Sequence, residues 1–165
     1  MESSKKIDVA IKMLENVQSL IKFSDTKINV LLVISGITTT YVLGTYNGKI
    51  LTYGCLSIIL ILFYVFFFLF LFFSIQTIAP RKANHTGNSV SRVIYFKHVA
   101  ERNNANDYFE DLKKTNEDGF LKDFVYQIFE NSKIAEKKFE NYNNSLMMLK
   151  LQVLFFLVLL VAKNI

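Results

Sequence analysis

The chain has little of what builds metal sites, disulfides and turn-rich soluble domains. Its 165 residues include one cysteine, one proline, two histidines and no tryptophan. A single cysteine gives no disulfide framework and no thiolate cluster, and neither His85 nor His98 has a partner at metal-ligand spacing. There is also no glycine-rich phosphate loop and no nucleophile elbow. We therefore expect a protein that is not an enzyme and that needs no metal or cofactor.

Apolar sequence is abundant instead. Hydrophobic residues make up 52% of the chain, and 16 residues are phenylalanine, which is typical of a membrane protein. Three segments, 28–46, 50–78 and 146–165, are long enough to cross the hydrocarbon core. The third contains Lys150 and Gln152 and can cross if the Lys150 ammonium reaches the interface. The composition predicts an all-α membrane protein with three transmembrane helices.

The placement of lysine and arginine predicts the orientation in the membrane. Five lysines precede the first span, and Arg81 and Lys82 follow the second, whereas the connection between these spans carries only Lys49. Positive residues favour the cytoplasmic side. We expect a multi-pass protein with a cytoplasmic N-terminus, residues 1–27 and 79–145 being cytosolic.

The cytosolic segments are predicted to be helical. Residues 88–102 form one predicted helix and Tyr108 to Lys113 a second, with a turn at Asp118 and Gly119. Apolar stripes run through residues 7–21 and 121–160 into the adjoining spans without a break. Two long helices should therefore pass from the cytosol into the membrane, so that a change in cytosolic packing tilts or rotates the spans.

Several segments resemble the Pycsar effector transmembrane family. SDTKINVLL at 24–32 is similar to the alanine-Asp-Thr-Lys segment that opens the membrane region of that family, with Ser24 in place of alanine. IAPR at 78–81 resembles its proline-arginine step after the second span. VIYFKHV at 93–99 and QIFENSKIAEKKFENYNNSL at 127–146 resemble its cytosolic helices.

This resemblance implies a function in bacterial anti-phage defence, at the inner membrane. Members of the family act beside a nucleotidyltransferase and damage or permeabilise the membrane in response to a nucleotide signal. Similar effectors of the Hailong type are paired with enzymes that make a nucleic-acid oligomer. The resemblance therefore implies a nucleotide-controlled membrane effector and leaves open whether the ligand is a cyclic nucleotide or an oligonucleotide.

Such a ligand needs cations for its phosphates and flat side chains for its bases. Basic and aromatic residues alternate near residue 95, and further lysines lie on the long helix that follows. The competing interpretation is a solvated basic face over an ordinary aromatic core. The predicted ligand-binding residues are Arg92, Tyr95, Phe96, Lys97, Arg102, Lys133 and Lys138.

The charges at the start of the first span allow two interpretations. Lys22 and Asp25 can form a local pair while Lys27 reaches the head groups. Alternatively, Asp25 pairs with Arg81 after the second span, and this shielded pair latches one state of the protein, with Lys27 beside it.

The first span carries a stripe of small and polar residues, Asn29, Val33, Gly36, Thr40 and Gly44. Such a stripe is either a close helix contact or the lining of a pore. Asn29 favours a pore, because its amide needs polar partners, and Val33 is then a candidate constriction. We expect a homo-oligomer, with a tetramer favoured, whose pore depolarises the membrane. The alternative is a non-conducting anchor or scaffold for a partner nucleotidyltransferase.

Overall fold

The protein is helical throughout the part that the structure describes. The computed structural model describes residues 3–46, 54–79 and 93–163. Within these ranges there are five helices and no strand: α1 (Ser3–Tyr46), α2 (Gly54–Ile78), α3 (Phe96–Ala100), α4 (Ala105–Lys114) and α5 (Glu117–Lys163). The predicted all-α fold is confirmed.

Three of these helices, α1, α2 and α5, are long and apolar enough to cross a membrane. They contain 44, 25 and 47 residues. At about 1.5 Å per residue, α1 and α5 are each roughly twice as long as the hydrocarbon core is thick. Both therefore continue well beyond the membrane without a break, as the sequence predicted.

The chain divides into two compact units. The first unit consists of Met1–Ile21 and Arg81–Glu136, and the second of Lys22–Pro80 and Lys137–Ile165. The two long helices change unit at residues 21/22 and 136/137, slightly before the predicted borders at 27/28 and 145/146. Where the membrane surface lies along these helices stays a prediction.

Two local predictions in the first unit were wrong. Of the helix expected over 88–102, residues 88–92 lie outside the described residues, and the described part is helical only from Phe96 to Ala100. Residues 93–95 are not helical, and the Val93 N–H donates instead to Asp123 Oδ2 at 2.7 Å. The turn expected at Asp118 and Gly119 lies inside α5. The Asn116 side chain accepts the Gly119 N–H at 2.9 Å, and this cap starts the helix early.

The second unit has an apolar end and a polar end. Val42, Tyr46, Leu60, Phe63 and Leu159 form a buried apolar cluster. Further along the same three helices, most of the buried side chains are polar. They are Ser24, Ser35, Thr39, Ser74, Thr77, Lys138, Asn141, Ser145 and Gln152.

Candidate functional site

One lysine joins the three long helices of the second unit. The Lys138 ammonium on α5 lies 2.5 Å from Asp25 Oδ1 on α1 and donates to the Thr77 carbonyl on α2 at 2.7 Å. Thr77 is in the last turn of α2, where carbonyls have no partner within the helix and a cation is favoured by the helix dipole. The Lys138 side chain is 6% exposed, so the ammonium is satisfied from inside the protein.

A second polar group lies further along α1 and α5, around Gln152. The Gln152 side chain accepts a hydrogen bond from Ser35 at 2.8 Å and donates to Thr39 at 3.1 Å and to Thr38 at 3.3 Å. Gln152 and Ser35 are almost fully buried. An amide inside a transmembrane bundle needs such partners, because lipid offers none. These contacts set the register of α1 against α5.

The apolar end of the unit is also fastened by polar contacts. The Tyr46 hydroxyl donates to the Leu159 carbonyl at 2.6 Å. Lys163 Nζ lies 3.3 Å from the Tyr41 hydroxyl, while the Tyr41 ring meets Phe156 edge to face at 5.6 Å. The α1 and α5 helices are thus paired by hydrogen bonds at three levels of the second unit.

The predicted pore residues lie on a different face of α1. Asn29, Val33, Gly36 and Thr40 are all exposed, and Val33 is 61% exposed. Apart from its two chain neighbours and the nearby backbone of α1, no described atom lies within 4 Å of where a Cβ on Gly36 would be. The Thr40 hydroxyl donates to the Gly36 carbonyl of its own helix at 2.9 Å. Nothing in the described part of one chain covers this face.

The polar character of this face continues towards the N-terminus. Positions spaced alternately three and four residues apart lie along one side of a helix, and those on this side are all exposed. We name them the polar stripe: Lys12, Glu15, Ser19, Lys22, Thr26, Asn29, Val33, Gly36 and Thr40.

The predicted ligand-binding residues have varied surroundings. The Arg102 guanidinium bonds Asp111 Oδ2 at 2.9 Å and the His98 carbonyl at 2.6 Å, lies 5.3 Å from the centre of the Tyr108 ring and is 8% exposed. It therefore ties α3 to α4 in the first unit. Lys138 belongs to the second unit, in the contact described above.

Among the predicted ligand-binding cations whose side chains the structure describes, Lys133 is the exposed one. It is 58% exposed, pairs loosely with Glu130 at 3.9 Å and lies 4.1 Å from the centre of the Phe129 ring. Tyr95 is half-buried beside His98. Arg92 and the side chains of Phe96 and Lys97 lie outside what the structure describes. Ligand binding by these residues stays a prediction.

The structure describes two of the three residues of the predicted latch, Asp25 and Lys27. Arg81 lies outside the described residues, so its pairing with Asp25 stays a prediction. Lys138 is the Asp25 partner that the structure does describe. Lys27 is exposed, with its ammonium 4.2 Å from the centre of the Phe23 ring and 5.8 Å from that of Tyr142.

Sequence reasoning missed the group around Gln152 and the contacts of Lys138. The signal for Gln152 was its position within an apolar span, where a polar side chain requires a partner. Ser35 and Thr39 are the polar residues of α1 that supply it. For Lys138 the sequence offered no such signal, because it stands among other lysines in a charged segment.

Among the described residues, no three His, Cys, Asp or Glu side chains are grouped so as to hold a metal ion. Comparison with known protein families matches residues 9–163 to the family described as Pycsar effector protein domain. No curated protein and no solved structure matches the chain.

Proposed function

Because the chain belongs to the Pycsar effector family, we propose that this anti-phage membrane effector is a ligand-controlled pore that depolarises the bacterial inner membrane. Pycsar effectors are membrane proteins controlled by a cyclic nucleotide signal. We propose in addition that this protein conducts ions, that it assembles from several copies, with four favoured, and that its N-terminus is cytoplasmic.

The polar stripe of α1 is the observation that carries this proposal. Before the span its exposed positions are charged or polar, as expected for a helix face in water. Within the span the same face has Asn29, Gly36 and Thr40, and Val33 is its one large apolar side chain. An amide would be unfavourable on a face that contacts only lipid, because burying an amide without hydrogen-bond partners costs about 1–3 kcal/mol. Water in a pore would supply those partners.

Within the proposed pore, Asn29 hydrates the cytoplasmic entrance and Val33 forms the constriction. Val33 is the apolar member of the polar stripe with a large side chain, and rings of such side chains close pores by excluding water. Three spans are too few to enclose a polar path by themselves, so we expect several copies to contribute one α1 helix each. The exposed large side chains of α2, such as Phe68 and Phe72, would face lipid.

The test is a membrane-potential dye in cells that express the protein with its signal. Asn29→Leu should abolish depolarisation, and Asn29→Gln, which keeps the amide, should retain it. Val33→Ser should depolarise cells without any signal. Phe72→Leu, on the exposed face of α2, is the matched control and should conduct like the wild type.

Two outcomes would reject parts of this proposal. Wild-type depolarisation by Asn29→Leu, at equal membrane levels, would remove α1 from the pore. A wild-type protein that binds its signal yet never depolarises cells would be a non-conducting anchor for a partner nucleotidyltransferase.

We further propose that the ligand is an anionic nucleotide, bound in the first unit with Lys133 as one contact. Lys133 has an exposed side chain whose ammonium lies beside the exposed ring of Phe129, which fits a phosphate next to a base. Binding of a cyclic nucleotide should weaken with Lys133→Ala and as salt rises. Unchanged binding at both low and high salt would reject this contact. Copurified material absorbing at 260 nm and with the mass of an oligomer would identify an oligonucleotide instead.

A further inference from the structure

The α1 helix has a second exposed stripe, and it is apolar. Ten large hydrophobic side chains of α1 are exposed, and eight of them fall on one line of positions with alternating spacings of four and three residues. All positions on this line are exposed. We name it the apolar stripe: Val9, Met13, Asn16, Leu20, Phe23, Lys27, Val30, Ile34, Ile37 and Tyr41.

Lipid accounts for only part of this exposure. Val30, Ile34 and Ile37 lie in the span and can face hydrocarbon. Val9 and Met13 cannot, because their stretch of helix also carries Asp8, Lys12, Glu15 and Lys22, and charges avoid the hydrocarbon core. Side chains exposed by 49% at Val9 and 55% at Met13 would therefore stand in water. Within the part of the chain that the structure describes, an apolar line exposed to water in this way is typical of a surface that binds another protein.

The spacing defines what kind of partner fits. A narrow apolar line that keeps a 4,3 alternation is typical of a helix that packs along another helix. From Val9 to Tyr41 the stripe is about 48 Å long at 1.5 Å per residue. A soluble partner would cover only its beginning, and a helix confined to the membrane only its end. The partner must be a helix that itself passes from water into the membrane.

We propose that the apolar stripe is the surface on which a second copy of this chain docks. A second copy provides helices of the required kind in α1 and α5. All copies enter the membrane in the same orientation, so these helices lie parallel to the stripe and at matching depth. This inference rests on the homo-oligomeric pore proposed above for its partner, and it names the surface that assembles the pore.

The neighbouring polar stripe fits this arrangement. Every polar-stripe residue directly precedes an apolar-stripe residue, as in the pairs Lys12–Met13 and Val33–Ile34. Adjacent residues are about 100° apart around a helix, so the two stripes lie side by side without overlapping. A subunit docked on the apolar stripe leaves the polar stripe uncovered, so it can line a shared path.

The experiment measures the mass of the full-length protein in lipid nanodiscs. The protomer has a mass of 19.1 kDa. Wild type should have a multiple of this mass. The double variant Met13→Glu, Leu20→Glu places charges on the apolar stripe and should shift most particles to the protomer. The control variant Ser4→Glu, Gln18→Glu adds the same charges to exposed positions outside both stripes and should leave the mass unchanged.

Failure of this inference can be separated from failure of the proposed pore. A wild-type protein of protomer mass would reject both. Intact oligomers of the Met13→Glu, Leu20→Glu variant would reject the apolar stripe as the interface while leaving the pore standing. Loss of oligomers in the Ser4→Glu, Gln18→Glu control as well would also reject it, because the effect would then come from charge alone.

A second measurement needs no disruptive substitution. In a Cys55→Ser background, a Met13→Cys thiol should be protected from a maleimide reagent in membranes, because the second copy covers it. A Gln18→Cys thiol, on an exposed turn outside the stripe, should react at least tenfold faster. Equal reaction rates in a protein of oligomeric mass would overturn the assignment.

Discussion

The α1 helix carries polar side chains on two faces with opposite surroundings. On one face, Ser35 and Thr39 are buried and bond Gln152 of α5. On the other, Asn29 and Thr40 are exposed. Both sets lie at or within the predicted first span, and residue type does not tell them apart. The difference shows that a polar residue in a span can stabilise the fold of one chain or remain open to water or a neighbouring subunit.

The two faces should respond differently to mutation. Removing a buried polar group leaves its partner without a hydrogen bond, which lowers stability. Removing an exposed one leaves the fold of the chain intact and acts only on assembly or conduction. Variants that separate stability from conduction therefore test the comparison.

The largest loss of stability is expected at the ion pair that joins the three long helices. Asp25→Ala removes the counter-charge of the buried Lys138 ammonium and should cost about 2–3 kcal/mol, because breaking one side of a buried pair strands the other charge. Water reaching the site of Asp25, which is 37% exposed, keeps the loss below that of a fully buried pair. Thermal unfolding in detergent measures it.

The control for this prediction is an exposed ion pair on the same helix. Glu140 pairs with Lys137, and both side chains are about half exposed, so Glu140→Ala should cost less than about 0.5 kcal/mol. Adding Lys138→Met to Asp25→Ala should recover part of the loss, since the stranded charge is removed. Equal unfolding temperatures for Asp25→Ala and Glu140→Ala would show that the buried contact contributes nothing.

A smaller effect should separate two neighbouring threonines. Thr39→Val removes a hydrogen bond to Gln152 and should lower the stability in detergent by about 1 kcal/mol. Thr40→Val, on the exposed face, should leave stability unchanged and reduce depolarisation. The unfolding temperature and the membrane-potential dye together measure both effects. The opposite pattern, with Thr40→Val the less stable protein, would contradict the assignment of the two faces.

A further small change in stability is expected at Gly36, and it is a gain. A Cβ there meets no atom within 4 Å, and alanine favours a helix over glycine by up to about 1 kcal/mol. Gly36→Ala should therefore unfold at a slightly higher temperature. The added methyl group should also narrow the proposed pore, which the polar stripe lines, and so lower conduction.

Gly119→Ala is the matched control for that prediction. Its Cβ would come within 2.9 Å of the Thr115 side chain and 3.2 Å of the Asn116 side chain that caps α5, so no gain is expected. If Gly36→Ala destabilised the protein, its face of α1 would be packed within the chain.

Much of the fold could be predicted from the sequence because it depends on local patterns. Three apolar segments of spanning length predicted α1, α2 and α5, and the absence of proline and glycine between the charged and apolar parts predicted that α1 and α5 are continuous. The short helices were harder. Residues 93–95 of the helix expected over 88–102 are not helical, and the N–H of Val93 is accepted by Asp123 from 30 residues away.

In the candidate site too, the sequence predicted what depends on local patterns and could not predict contacts between distant residues. The sequence alone determined the stripe from Asn29 to Thr40, because helical periodicity places these residues on one side of α1. Only the tertiary structure decided the partners of charged side chains. Lys138 and Asp25 are 113 residues apart, and any of several lysines could have met that carboxylate. The packing of the three helices selects Lys138. Among the described lysines, it is the one whose ammonium contacts both Asp25 and the Thr77 carbonyl at the end of α2.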